Sequence, residues 1–165
     1  MTLQEKGAEA MKPEISKLLL DNYFLTELFV RANENFDAKQ PMNLTVNDLT
    51  VESVAVKIAE DVHHWQVTLK VFHQLKNKVN APYSFRVEAV GFFSVAESYP
   101  VDRAEWLVKT NASSVLYSVV REALRNTMAT GPWKPILLPT VSFYTKEARE
   151  FIKEKSESKT AEVTK

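Results

Sequence analysis

Three histidines, His63, His64 and His73, are the side chains of this sequence best suited to proton transfer or metal binding, and all fall between residues 63 and 73. The pattern there is that of a strand, in which adjacent side chains point to opposite faces, so His63 and His64 cannot chelate one ion together. His63 and His73 are too far apart to share a ligand at roughly 3.3 Å of rise per residue. The chain has no cysteine, which removes a thiolate nucleophile, a thiolate metal site and a disulfide framework. Its three glycines do not make a phosphate-cradling loop, and no serine stands in a G-x-S-x-G context. The neighbouring carboxylates Glu60 and Asp61 fall at an expected strand turn and read as solvated. No catalytic residue, metal or cofactor is expected, and the chain does not read as an enzyme. The competing class is a small-molecule-binding α+β domain. That needs polar groups converging in a closed pocket, and the sequence assembles none.

The bulk composition narrows the partners. Lysine plus arginine and aspartate plus glutamate are 21 each, so the formal net charge is zero. Nucleic acid and anionic membrane surfaces are therefore not expected partners, even where aromatic and basic residues interleave. Self-association meets little charge repulsion. At 165 residues with 45% apolar side chains the chain can bury one core. The opening MTLQEKGAEAMKPEISK lacks an apolar centre, and no apolar run is long enough to span a bilayer, which predicts a cytoplasmic protein.

The elements that would position any site follow from periodicity. Pro13 can open a short helix with Ile15, Leu18 and Leu19 on one face, within an N-terminal extension of residues 1–22. Residues 23–32 read as a first strand, 33–50 as a long polar loop, and Val54, Val56 and Ile58 as one side of a second strand. Odd positions from His63 to Leu75, and again from Tyr83 to Val95, are mostly apolar against mostly polar even ones. That alternation predicts two more strands in an antiparallel hairpin, each with one dry face. Asp102 with Glu105 resembles a capping box, and Asn111 or Ser113 can start a longer helix ending at Gly131. Pro132, Pro135 and Pro139 keep residues 131–143 out of regular helix. A last helix is expected from Thr145 with Ala148, Phe151 and Ile152, ending a domain of residues 23–153. A polar tail of residues 154–165 follows. The predicted class is α+β, a four-stranded antiparallel sheet with helices on one face.

Two features exceed what a core needs. On the long helix Ala112, Val115, Leu116, Tyr117, Val119, Val120, Ala123, Leu124 and Met128 span roughly 220° of arc, against about 100° for a helix lying on one sheet. The excess requires a second surface, either the last helix or another subunit. Irregular backbone also carries Phe36, Met42, Leu44, Val46 and Leu49 before strand two, and Trp133, Ile136, Leu137 and Leu138 after the long helix. These either fold inward as lids or wall an apolar groove. Burying a Leu, Ile or Phe yields about 1.5–3 kcal/mol, so several anchors would offset the cost of immobilising an extended peptide.

GFFSVA (residues 91–96), LYSVVREALRNTMATG (116–131) and PWKPILLPTVSF (132–143), in that order, resemble the SecB family of protein-export chaperones over residues 23–152. The resemblance implies an ATP-independent holder of unfolded or precursor polypeptides, assembled as a homotetrameric dimer of dimers with the long helices between sheets. It implies client grooves at Phe36–Leu49 and Trp133–Leu138, with Tyr117, Val120 and Leu124 as a candidate floor. Family members that deliver clients to the SecA motor present acids on the solvent face of the sheet. Glu27 matches that pattern, whereas Arg31 and Arg86 replace expected acids. SecB-like chaperones that guard the antitoxin of a toxin–antitoxin pair are the other role the resemblance allows.

Overall fold

The structure, a computed structural model, describes residues 16–75 and 79–144. Four strands, β1 (Leu18–Ala32), β2 (Thr50–Lys57), β3 (His64–His73) and β4 (Tyr83–Val95), form one antiparallel sheet in the order β1-β4-β3-β2. The hairpin read from alternation forms its centre. Odd residues from Trp65 to His73 and from Tyr83 to Val95 line one face and are buried throughout. That face lies under the helices α1 (Val101–Leu107) and α2 (Ser113–Met128). The predicted α+β class, with helix on one side of a four-stranded antiparallel sheet, is the observed one.

The two helices are one continuous rod joined by a π turn at Val108–Ala112. Ala104, Val108, Ala112, Leu116, Val120, Leu124 and Met128 recur every fourth residue and are all buried. At 3.6 residues per turn such a series drifts by about 40° per step, and the wider turn takes part of that drift back. The hydroxyls of Ser113 and Ser114 donate to the Lys109 and Thr110 carbonyls there, at 3.0 Å each. Ser113 also meets Ser53 of β2 hydroxyl to hydroxyl at 2.6 Å. Where the helix crosses β4 it nearly touches the backbone. A Cβ on Gly91 would lie 2.7 Å from the Phe93 ring and 2.8 Å from a Leu116 methyl, so those side chains would have to shift to admit one.

Four details differ from expectation. Leu18 and Leu19 lie in β1 rather than in a helix, because Leu18 pairs with Val95 and buries its side chain while Leu19 points outward. Strand one thus begins before residue 23, and the proposed domain boundary falls inside it. Asp102 does not cap. Pro100 holds the N-cap position, and Glu105 instead receives Lys109 at 2.6 Å. Asn111 and Ser113 continue a helix already under way. Gly131 takes no left-handed conformation and is needed for space, since a Cβ there would stand 2.6 Å from the Tyr83 hydroxyl. The expected helix from Thr145 and the tail lie outside the described residues.

Candidate functional site: an apolar groove at one end of the sheet

Residues 33–49 connect β1 to β2 across the sheet end where α2 terminates. The loop turns at Asn33–Phe36 and Asp37–Gln40, each closed by a backbone bond of 3.2 Å, and again at Val46–Asp48, fastened by the Asp48 carboxylate accepting from the Thr45 amide (2.9 Å) and hydroxyl (2.8 Å). Facing it is the extended segment after α2, which the prolines keep from coiling. Phe36 of the loop meets Trp133 edge-on, with ring centroids 5.4 Å apart. Beside this contact an open cleft of about 450 Å³ is lined by Phe36, Met42, Pro82, Pro132, Trp133 and Pro135, with Lys134 at its rim.

The residues expected in a groove divide by burial. Leu137 is 69% exposed, Val46 50% and Met42 46%. Phe36, Leu44, Leu49 and Trp133 are half-buried, and Leu44, Leu49 and Trp133 lean on the core. Ile136 and Leu138, by contrast, are sealed in the core on either side of outward-facing Leu137, the alternation of an extended segment. Tyr117, Val120 and Leu124 are also buried, on the sheet-facing side of α2, and offer no surface to a ligand in this packing. The Tyr117 hydroxyl donates to the Pro139 carbonyl at 2.9 Å, and burial raises its pKa. Those five residues hold the site's backing in place.

Two residues that sequence reasoning did not single out tie the walls down. The Tyr83 hydroxyl accepts from the Trp133 amide at 2.9 Å and reaches the Trp133 and Met128 carbonyls at 2.7 and 3.2 Å. Asn80, in the β3–β4 connection, bonds to several groups of the 37–43 loop. Tyr83 is hidden in the dry-face alternation and Asn80 in a polar turn, so neither pattern marks a support. Trp133 Nε1 adds a bond to the Asn33 carbonyl at 3.2 Å, crossing from one wall to the other.

The opposite face of the sheet carries Glu27, Arg31 and Arg86. Arg86 lies 3.8 Å from Glu27 and over the Phe72 ring. Lys70 bonds Glu88 at 3.0 Å, and Lys70 followed by Thr26 lowers the Glu88 pKa. Both charges are therefore mixed on this face. Val54 and Val56 are exposed on it, and Phe24 stacks against Phe92 there. His64 sits at its margin with Nδ1 2.5 Å from Asp61. The Asp61 pKa is lowered first by the His63 amide and then by His64, so this carboxylate fastens a turn.

The fold is thus a helix-covered antiparallel sheet with an open, largely apolar cleft flanked by prolines at one end. The SecB model, preprotein translocase subunit SecB, matches residues 27–149, and the chain belongs to that family. Among solved structures it is similar to a Mycobacterium tuberculosis SecB-like chaperone in complex with a ChAD peptide from the HigA1 antitoxin. That likeness has a TM-score of 0.60 at 13% identity, covers 78% of this chain and 94% of the other, and shows a shared fold. A Streptococcus agalactiae protein of unknown function is similar at a TM-score of 0.45 and 9% identity, over 74% of this chain and 96% of that one. No curated protein matches by sequence.

Proposed function

We propose that this SecB-family chain is an ATP-independent holdase that binds unfolded polypeptides in the groove between the 33–49 loop and the segment after α2. The observation that carries the reading is the open cleft lined by Phe36, Met42 and Trp133, with Met42 exposed in it and Val46 and Leu137 exposed elsewhere on the same two segments. Such a surface recognises apolar side chains on any extended chain, which suits a broad client range and requires no catalytic group. The working form we propose is a cytoplasmic homotetramer, a dimer of dimers. Its support is the stripe Val115, Val119 and Ala123 on α2, which the sheet leaves wholly or partly exposed. We read this stripe as covered by a second subunit rather than by the last helix of the same chain.

Keeping precursors export-competent is the first role, supported by the family. A second role, guarding an aggregation-prone antitoxin, is favoured by Arg31 and Arg86 on a face where SecA docking calls for acids. The mycobacterial SecB-like chaperone similar in fold is in complex with a peptide from an antitoxin, which supports this reading. The test is suppression of aggregation of a chemically denatured protein at stoichiometric amounts without nucleotide. Met42→Glu with Leu137→Glu, both surface positions, abolishes suppression while the oligomer and the melting curve persist. Full suppression by this double variant contradicts the groove.

A further inference from the structure

Both walls of the groove hang from one short stretch, residues 80–83, between β3 and β4, but by bonds of different character. On the side after α2 the support is buried. Tyr83 is 1% exposed, its hydroxyl holds Trp133, and Ile136 and Leu138 plug into the core. On the loop side the support is polar and wet. The Asn80 side chain accepts from the Asp37 amide at 3.1 Å and donates to the Asp37 carbonyl at 3.0 Å, with longer reaches to the Gln40 and Pro41 carbonyls at 3.4 and 3.3 Å. Its backbone amide donates to Asn43 Oδ1 at 2.6 Å, and its carbonyl accepts from the Asn43 amide at 3.3 Å. The root of the loop is fixed separately, by Asn33 donating to the Pro82 and Ala81 carbonyls at 2.8 Å each.

This geometry points to Asn80 as a positioning residue that sets the resting width of the client groove, holding residues 37–43 as the movable wall against a rigid one. Hydrogen bonds open to water exchange cheaply with solvent, whereas those around Tyr83 leave buried groups unpaired when broken. The loop between Asp37 and Asn43 therefore opens on Asn80 while Trp133 stays in place. Met42 travels with it, while Phe36, whose amide donates to the Asn33 carbonyl at 3.2 Å, stays with the root, which lets one groove admit side chains of different size. The inference rests on the groove being the client site and adds which wall yields and what restrains it.

The absence of cysteine makes the test clean. Nitroxides are placed on Lys39→Cys and Thr130→Cys, exposed positions on the loop and at the end of α2, in full-length protein diluted with unlabelled chain. Their distance distribution is measured by pulsed electron resonance, alongside affinity for reduced, carboxymethylated α-lactalbumin as a permanently unfolded client. Asn80→Ala broadens the distribution and leaves the melting curve of the sheet in place. A wall in register about a tenth of the time weakens client affinity about tenfold. Tyr83→Phe leaves the distribution narrow at the loop label. An unchanged distribution in Asn80→Ala overturns the positioning role whatever the affinity does. A broadened distribution with unchanged affinity keeps Asn80 as a loop support but overturns the groove as client site, and the inference falls with it. Should Asn80→Ala fail to fold, Asn80→Asp keeps the acceptor for the Asp37 amide and loses the donor, and the same two readouts shift in the same direction by less.

Discussion

The centre of the sheet and the rim at its end are built from the same kinds of side chain put to opposite uses. In β3 and β4, Val67, Leu69, Val71 and Val87 have no exposed surface, and a Cβ on Gly91 would press on both Leu116 of α2 and Phe93. At the rim, Phe36, Met42, Trp133 and Leu137 keep part or most of their surface open on backbone with no ladder of hydrogen bonds. The difference is regularity. A strand or helix repeats its direction, so its apolar residues converge on one partner and exclude water. Loop and proline-punctuated backbone do not repeat, and their apolar residues can bound a space without filling it. Stability resides in the first region, and the recognition we propose resides in the second.

Substitutions sharpen this division. Leu116→Ala removes a wholly buried side chain at the tightest crossing and costs about 2–5 kcal/mol, read by denaturant unfolding. Tyr83→Phe sits at the border of the two regions. It leaves the Trp133 amide and a carbonyl unpaired in part-buried surroundings, costs about 1–3 kcal/mol, and weakens client holding through the rigid wall. Glutamate at both Val115 and Val119 leaves the fold melting as before but reduces the light-scattering mass below that of a tetramer, since those side chains lie away from the sheet. A wild-type protein that scatters as a monomer refutes that interface directly. Met42→Glu with Leu137→Glu changes stability by less than about 1 kcal/mol, as expected for exposed sites, while removing holding activity. Loss of stability comparable to Leu116→Ala would erase the distinction between rim and core.

The central region was legible because strict alternation over ten or more residues admits one reading. Ten residues in β3 and thirteen in β4 emerged where the alternation placed them. The start of β1 was not, because Ile15, Leu18 and Leu19 fit a helical face as well as a strand, and the pairing of Leu18 with Val95 across the sheet decides between them. The sequence places the start of the long helix late because Asn111 and Ser113 look like caps. In the fold their neighbourhood is a π turn in which serine hydroxyls bond back to carbonyls inside the helix. At the groove the two stretches were identifiable as apolar and irregular, but not which members face outward. Ile136, Leu137 and Leu138 are chemically near-equivalent, and only the path of the backbone buries the outer two and frees the middle one. Tyr83 shows in the pattern only as one more dry-face position and Asn80 only as part of a polar turn, since their supporting role lies in long-range hydrogen bonds.

The claim that client polypeptides lie along the rim, rather than on any exposed apolar surface, is most directly tested by site-specific photo-crosslinking to an unfolded, alkylated client. A benzophenone side chain is placed at Ala38 beside the cleft in one variant and at Val54 on the outer sheet face in another. Val54 is 59% exposed and apolar, so it controls for simple greasiness. The account predicts strong crosslinks from position 38, competed by excess unlabelled client, and background from position 54. Equal or stronger crosslinking from position 54 would contradict it.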